Sequence, residues 1–202
     1  MAIEASDQMA IEAAFSAAQS RTDAPIVCVL ARASGRYEVE PIAAGALLGL
    51  LAPWPLLILT DLSAQRIFLV QLLVCLAASA LLAVTPLRLL LTPRRERRAN
   101  AHRAALAQFQ LRALERVAGR ASVLVYVSLA ERYARVVAAE AATHAIAQSQ
   151  WQGFVDALVA DIGRRGAAEA LASAAPKCAD LLAAPFPPVS GAPRPRQHFH
   201  VI

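Results

Sequence analysis

Residues 41–91 read PIAAGALLGLLAPWPLLILT (41–60), DLSAQR (61–66), IFLVQLLVCLAASALLAV (67–84) and TPLRLLL (85–91). The first and third runs contain no Asp, Glu, Lys or Arg. Each is about as long as the ~20 residues a helix needs to cross the hydrocarbon core of a bilayer. A surface helix of a soluble domain keeps a polar stripe, and neither run has one. The pattern predicts two antiparallel membrane-spanning helices, 41–60 and 67–91, joined by the polar loop 61–66. Pro53-Trp54-Pro55 lies in the last third of the first run, where an aromatic near the outer interface explains it better than a kink lining a substrate path. Gln71 and Ser79 read as helix–helix hydrogen-bonding groups. Two helices without an ionisable residue make a poor channel or transporter. They read as an anchor.

Outward from this hairpin, residues 1–40 are too few to bury a core alone. Together with 92–188 they approach the common size of one domain. The expected fold is therefore α/β, a small sheet sandwiched by helices and interrupted by the transmembrane hairpin 41–91. Residues 189–202, rich in Pro, Arg and His, read as a disordered tail. A mean hydropathy of +0.46 suits a chain with two spans. The net charge of +5 gathers beside the second span, in Arg94, Arg95, Arg97 and Arg98, followed by His102, Arg103, Arg112, Arg116 and Arg120. Loop 61–66 offers only Arg66. By the positive-inside rule both flanks, and with them the soluble domain and both termini, face the cytoplasm. Arg94, Arg95, Arg97 and Arg98 are read as membrane-anchoring residues at anionic head groups. No aromatic residues interleave with them as a nucleic-acid stacking surface requires. The expected partners are the lipid bilayer and a protein, and not nucleic acid. The start of the chain lacks the charged and apolar regions of a signal peptide, so the first span reads as its own insertion signal. Cys28, Cys75 and Cys178 have no metal-ligand or redox spacing.

Periodicity places a helix over 6–20, with Met9, Ala13 and Ala17, flanked by Ala10, Ala14 and Phe15, on its apolar face. Residues 26–31 are apolar on both alternations, the mark of a strand covered on both faces. A helix is expected over 101–117, with Ala105, Leu106, Phe109, Leu111 and Leu114 apolar and Gly119 as its C-cap. Strands follow over 122–128 and 134–139, paired as a hairpin. Helices over 146–164 and 167–184, separated by Gly166, complete the pattern.

The segment Val127-Ser128-Leu129-Ala130-Glu131-Arg132-Tyr133, between two paired strands and after a helix, resembles the TPM domain. The order of helix, strand, two spans, arginine-rich segment and remaining domain is similar to a subgroup of short bacterial inner-membrane proteins with that domain. The resemblance implies an α/β sandwich and a multi-pass protein of the bacterial inner membrane. It also brings the roles linked to the family, which are calcium binding, acid phosphatase activity in plants and membrane-protein maintenance. The chain departs from the family at Val117, Ala121 and Ser122, where relatives tend to have Thr and Gly. It departs again at Ala139-Glu140-Ala141, where they tend to have Asp-Glu-Gly. The departures remove polar groups, so no cofactor is expected, calcium being the one the resemblance raises.

A catalytic reading has Glu131, Glu140 and His144 as its candidates. Glu131 and Glu140 fall at opposite ends of the third strand, too far apart for a carboxylate pair. Asp156 and Asp161, five residues apart on a helix, do not share a face. His144 and Glu140 are spaced i, i+4, which suits an acid–base pair or a merely exposed one. His198 and His200 belong to the tail. The function expected is that of a membrane-anchored interaction or scaffold module facing the cytoplasm. The alternative is a membrane-anchored phosphatase-like hydrolase with a divalent metal.

Overall fold

The apolar run Ile26–Ala31 forms strand β1, and every one of its residues is buried. Around it the chain runs α1 (Ala5–Gln19), β1, α2 (Val39–Leu51), α3 (Pro53–Leu59), α4 (Ala64–Val84), α5 (Arg94–Leu111), β2 (Val123–Ser128) and β3 (Tyr133–Ala138). It continues with α6 (Glu140–Ala145), α7 (Gln148–Arg165), α8 (Ala167–Ala183) and β4 (Phe199–Val201). The computed structural model describes residues 4–35, 39–84, 92–112, 121–189, 195 and 197–202. The expectations for 85–91, Leu114, Arg116, Val117, Gly119 and Arg120 lie outside these residues.

The sheet order is β3-β2-β1-β4. β1 pairs parallel with β2, Ile26 opposite Val123 and Ala31 opposite Ser128. β2 and β3 form the expected antiparallel hairpin. β1, which precedes the two long apolar helices, thus lies between strands that follow them. Alternation sends its side chains to two different cores. Ile26, Cys28 and Leu30, with Val123, Val125 and Val127, meet α1, α7 and α8 through Phe15, Phe154, Leu158, Leu171 and Leu182. Val27, Val29 and Ala31, with Leu124 and Tyr126, meet α5 through Ala105 and Phe109. Helices therefore cover both faces of an α/β sheet.

Three expectations need correction. Of the expected face of α1 Phe15 is buried, joined by Ile11 and Ala18, and Met9 is exposed; Ile11 removes more apolar area from water than the alanines of the expected face. On α5 the buried residues are Ala101, Ala105 and Phe109, whereas Leu106 and Leu111 are exposed. The tail 189–202 ends in β4, which pairs parallel with the outer edge of β1. Its composition suggested disorder, but an edge strand presents unpaired N–H and C=O groups, and Phe199 adds a side chain to the larger core.

By contacts the chain divides into two units, Met1–Ser34 with Asn100–Ile202, and Gly35–Ala99. In the second, two stretches are long and apolar enough to cross a membrane, Pro41–Leu59 and Ala64–Val84. The first is interrupted at Ala52, where Pro53 opens α3; proline at the first helical position forgoes an N–H that would lack a partner there. α2 and α4 are antiparallel, with Gly45 against Ser79 and Gly49 against Cys75. A Cβ on Gly45 would lie 2.8 Å from the Ser79 backbone nitrogen. The two helices touch backbone to backbone, the close approach that small residues permit in apolar surroundings.

Candidate functional site

In sheets with parallel strands, ligands favour the carboxyl ends of the strands. Here those ends are joined by main-chain bonds from Leu129 N–H to the Ala31 carbonyl and from Ala130 N–H to the Arg32 carbonyl, both 3.0 Å. The turn between β2 and β3 closes through Arg132, whose φ of 49° is left-handed. That turn directs Glu131 inward, and the residue is only 9% exposed. One carboxylate oxygen accepts the Ser34 backbone N–H at 2.9 Å. The other accepts the Ser128 hydroxyl. The Ser34 hydroxyl bonds in turn to the Tyr126 hydroxyl at 2.8 Å. Burial raises the pKa of the Tyr126 phenol, the Ser34 bond opposes the rise, and the Glu131 and Tyr133 charges add to it. The phenol is therefore neutral near pH 7.

This arrangement ties the loop after β1 to the turn after β2. A carboxylate whose two oxygens already accept donors is poorly placed as a general base, which needs a lone pair directed at substrate. Glu131 acts as a clamp. The sequence pointed to this residue but not to its partners, because Ser34 lies 97 positions away in the chain.

The other two candidates stand at the far end of β3. Glu140 and His144 do meet, Oε1 to Nε2 at 3.6 Å, but their side chains are 90% and 78% exposed. The structure thus brings Glu140 and His144 together and keeps Glu131 apart. Asp156 accepts Gln152 Nε2 at 2.9 Å. Asp161 accepts Arg164 at 2.9 Å and Lys177 at 3.1 Å. The Lys177 hydrogen bond is the largest of the influences that hold the Asp161 carboxyl below its ordinary range. These two aspartates serve separate helix surfaces. Among the described residues, no three His, Cys, Asp or Glu side chains are grouped as a metal ion requires.

Two features escaped the sequence. Glu12 of α1 accepts the backbone N–H groups of His198, at 2.9 Å, and of Phe199, at 2.6 Å. His198 Nδ1 lies 3.0 Å from the Ile26 carbonyl and donates to it. The second feature is a set of basic groups around the α5 side of the sheet. Burial and, next, the charge of Arg112 lower the pKa of His200; burial and then Arg135 lower that of His102. Both imidazoles are held toward the neutral form. Cys28 and Cys178 are fully buried, and burial drives both thiols upward, Cys178 to about 12. Neither is a reactive thiolate.

No family model matches the chain, and no curated protein matches it. A solved structure does. The solution structure of the BA42 protein from the psychrophilic bacterium Bizionia argentinensis aligns over 100% of this chain and 97% of its own, with a TM-score of 0.61 and 11% identity. At that identity the likeness concerns the fold alone.

Proposed function

We propose that this chain is a membrane-anchored TPM-like protein that presents its α/β domain on the cytoplasmic side of a bacterial inner membrane as an interaction or scaffold module. One observation carries the reading: two long helices whose large apolar side chains face outward, among them Ile58 at 78% and Val84 at 84% exposure. Such a surface calls for lipid or another apolar cover. A second observation supports the sidedness. Arg94, Arg95, Arg97 and Arg98 occupy the first turns of α5, where the helix dipole is positive and cations are unfavourable. Anionic head groups relieve that repulsion.

The buried thiols make the test clean. With Cys75→Ser as background, Ser63→Cys is expected to react with a membrane-impermeant maleimide added to intact cells. Ala99→Cys is expected to react only after permeabilisation. The reverse pattern would overturn both the topology and the compartment.

The hydrolase alternative draws no support from the geometry, since Glu131 is clamped and its distance from Glu140 spans β3. We expect no calcium affinity in the micromolar range (order of magnitude set by sensor sites) for the detergent-solubilised chain. Calorimetry checks this. A micromolar isotherm that Glu140→Gln abolishes would favour the hydrolase.

A further inference from the structure

The buried stripe of α5 runs Ala101, Ala105 and Phe109, and the next position at helical spacing is Arg112. A guanidinium thus continues a row of core residues. Its Nη2 donates to Gln108 Oε1 at 3.3 Å, but its Nε is buried without a partner. Arg21, Arg164 and Arg165 each pair with a carboxylate. Among the described residues no carboxylate pairs with Arg112. Burial lowers the pKa of its guanidinium, as expected of a cation that has given up water without gaining a counter-charge. His200 stands on the same face of the sheet. Phe199 enters the larger core, so alternation turns His200 to the α5 side. There it lies opposite Val29, in a row that continues through Tyr126 to Arg135.

Burial and, next, the Arg112 charge hold His200 toward its neutral form, while its ring donates to the Gln197 carbonyl. The second ring nitrogen of a neutral imidazole that donates through the first is an acceptor. The opposing influence of Glu12 is smaller than that of Arg112, and its carboxylate is already taken by the N–H groups of His198 and Phe199. A ligand suited to both groups needs an anionic oxygen for the guanidinium and an O–H for the imidazole. A carboxylate offers only the first. A phosphate or phosphate monoester that keeps one proton offers both. We propose that Arg112 and His200, with Gln108 beside them, form a binding site for a singly protonated phosphate group, carried by a soluble molecule or by a lipid with a monoester headgroup. The site is independent of the topology proposed above, because it rests only on α5 and the sheet.

Inorganic phosphate is the probe, and the thermal midpoint of the full chain in neutral detergent is the readout. At mildly acid pH, where phosphate keeps one proton, it is expected to raise the midpoint saturably by mass action. Chloride and acetate at equal ionic strength are expected to do so far less. Arg112→Gln is expected to weaken phosphate by about tenfold or more, as loss of a charge-assisted bond implies. Without phosphate this variant is expected to melt no lower than the wild-type chain, since it removes a cation that lacks a counter-charge. His200→Ala is expected to weaken phosphate as well, and Arg135→Gln, at the other end of the row, to leave it unchanged. An equal response to chloride or acetate, an undiminished response in Arg112→Gln, or a lower midpoint of that variant without phosphate would overturn the proposal. The source of the phosphate is read in nanodiscs of phosphatidylcholine with and without phosphatidic acid. A phosphate response lost only with phosphatidic acid assigns the site to a lipid headgroup, and a response kept in both assigns it to a soluble phosphate. Loss in both would contradict the site.

Discussion

Val29→Asp is expected to abolish cooperative unfolding of the α/β domain, with loss of the near-ultraviolet circular dichroism and of the thermal transition. Val29 is completely buried. It sits opposite Tyr126 on one side and His200 on the other, in the core closed by Phe109. Removing its side chain from that core forfeits about 1.5–3 kcal/mol. The carboxylate that replaces it is buried beside His200, which is held toward its neutral form, and a buried charge without a full ion-pair partner costs several kcal/mol more. The sum, roughly 5 kcal/mol or above, matches a large part of the ~5–15 kcal/mol that holds a typical domain together. Ala17→Asp, on the exposed side of α1, is the control and is expected to shift stability by less than about 0.5 kcal/mol. A variant Val29→Asp with an unchanged transition would mean that β1 is not the centre of the fold.

Gly45→Leu is expected to separate α2 from α4. A Cβ at this position would meet the Ser79 nitrogen at 2.8 Å and its Cα at 2.9 Å, and backbone cannot rotate aside as a side chain can. The helices must move apart, losing the contact between Gly49 and Cys75 as well. Overpacking of this kind costs about 1–3 kcal/mol and sometimes more. On the proposed membrane reading, close packing is itself the main source of association, so the loss is felt in full. The measurement is the midpoint of denaturation in mixed micelles, followed by Trp54 fluorescence in a Trp151→Phe background. Gly45→Leu should lower that midpoint clearly, while Ala46→Leu, on the exposed side of α2, should leave it nearly unchanged. Equal effects from the two substitutions would contradict the packing described.

Much of this architecture was legible because the strongest signals were long and chemically pure. An uncharged run of spanning length has few alternatives, and six apolar residues without alternation mark a strand covered on both faces. Hence β1 and the β2–β3 hairpin fell within a residue of their expected limits. The face of α1 was read only in part, with Phe15 on it but Ile11 missed, because its many alanines satisfy several faces equally and only packing selects among them. The tail was misread for a related reason. Pro, Arg and His dominate its composition, yet a strand of three residues needs only Phe199 and Val201 on a waiting edge. At the candidate site, the spacing of Glu131, Glu140 and His144 correctly separated the first from the other two. The clamp on Glu131 was not legible, because both of its tethered segments are polar loops whose meeting depends on the parallel pairing of β1 with β2. Glu12 shows the same limit, since its partners are main-chain groups that carry no sequence signal.

The central claim is that one sheet is built from chain on both sides of the apolar helices, and the isolated fragment 100–202 tests it most directly. Without β1, its strand β2 loses a whole row of parallel partners, and β4 loses its only described neighbour in the sheet. The account predicts no cooperative thermal transition and poorly dispersed amide resonances for this fragment, with both restored when residues 1–34 are joined to it by a flexible linker. A cooperative transition and dispersed amides from 100–202 alone would contradict it.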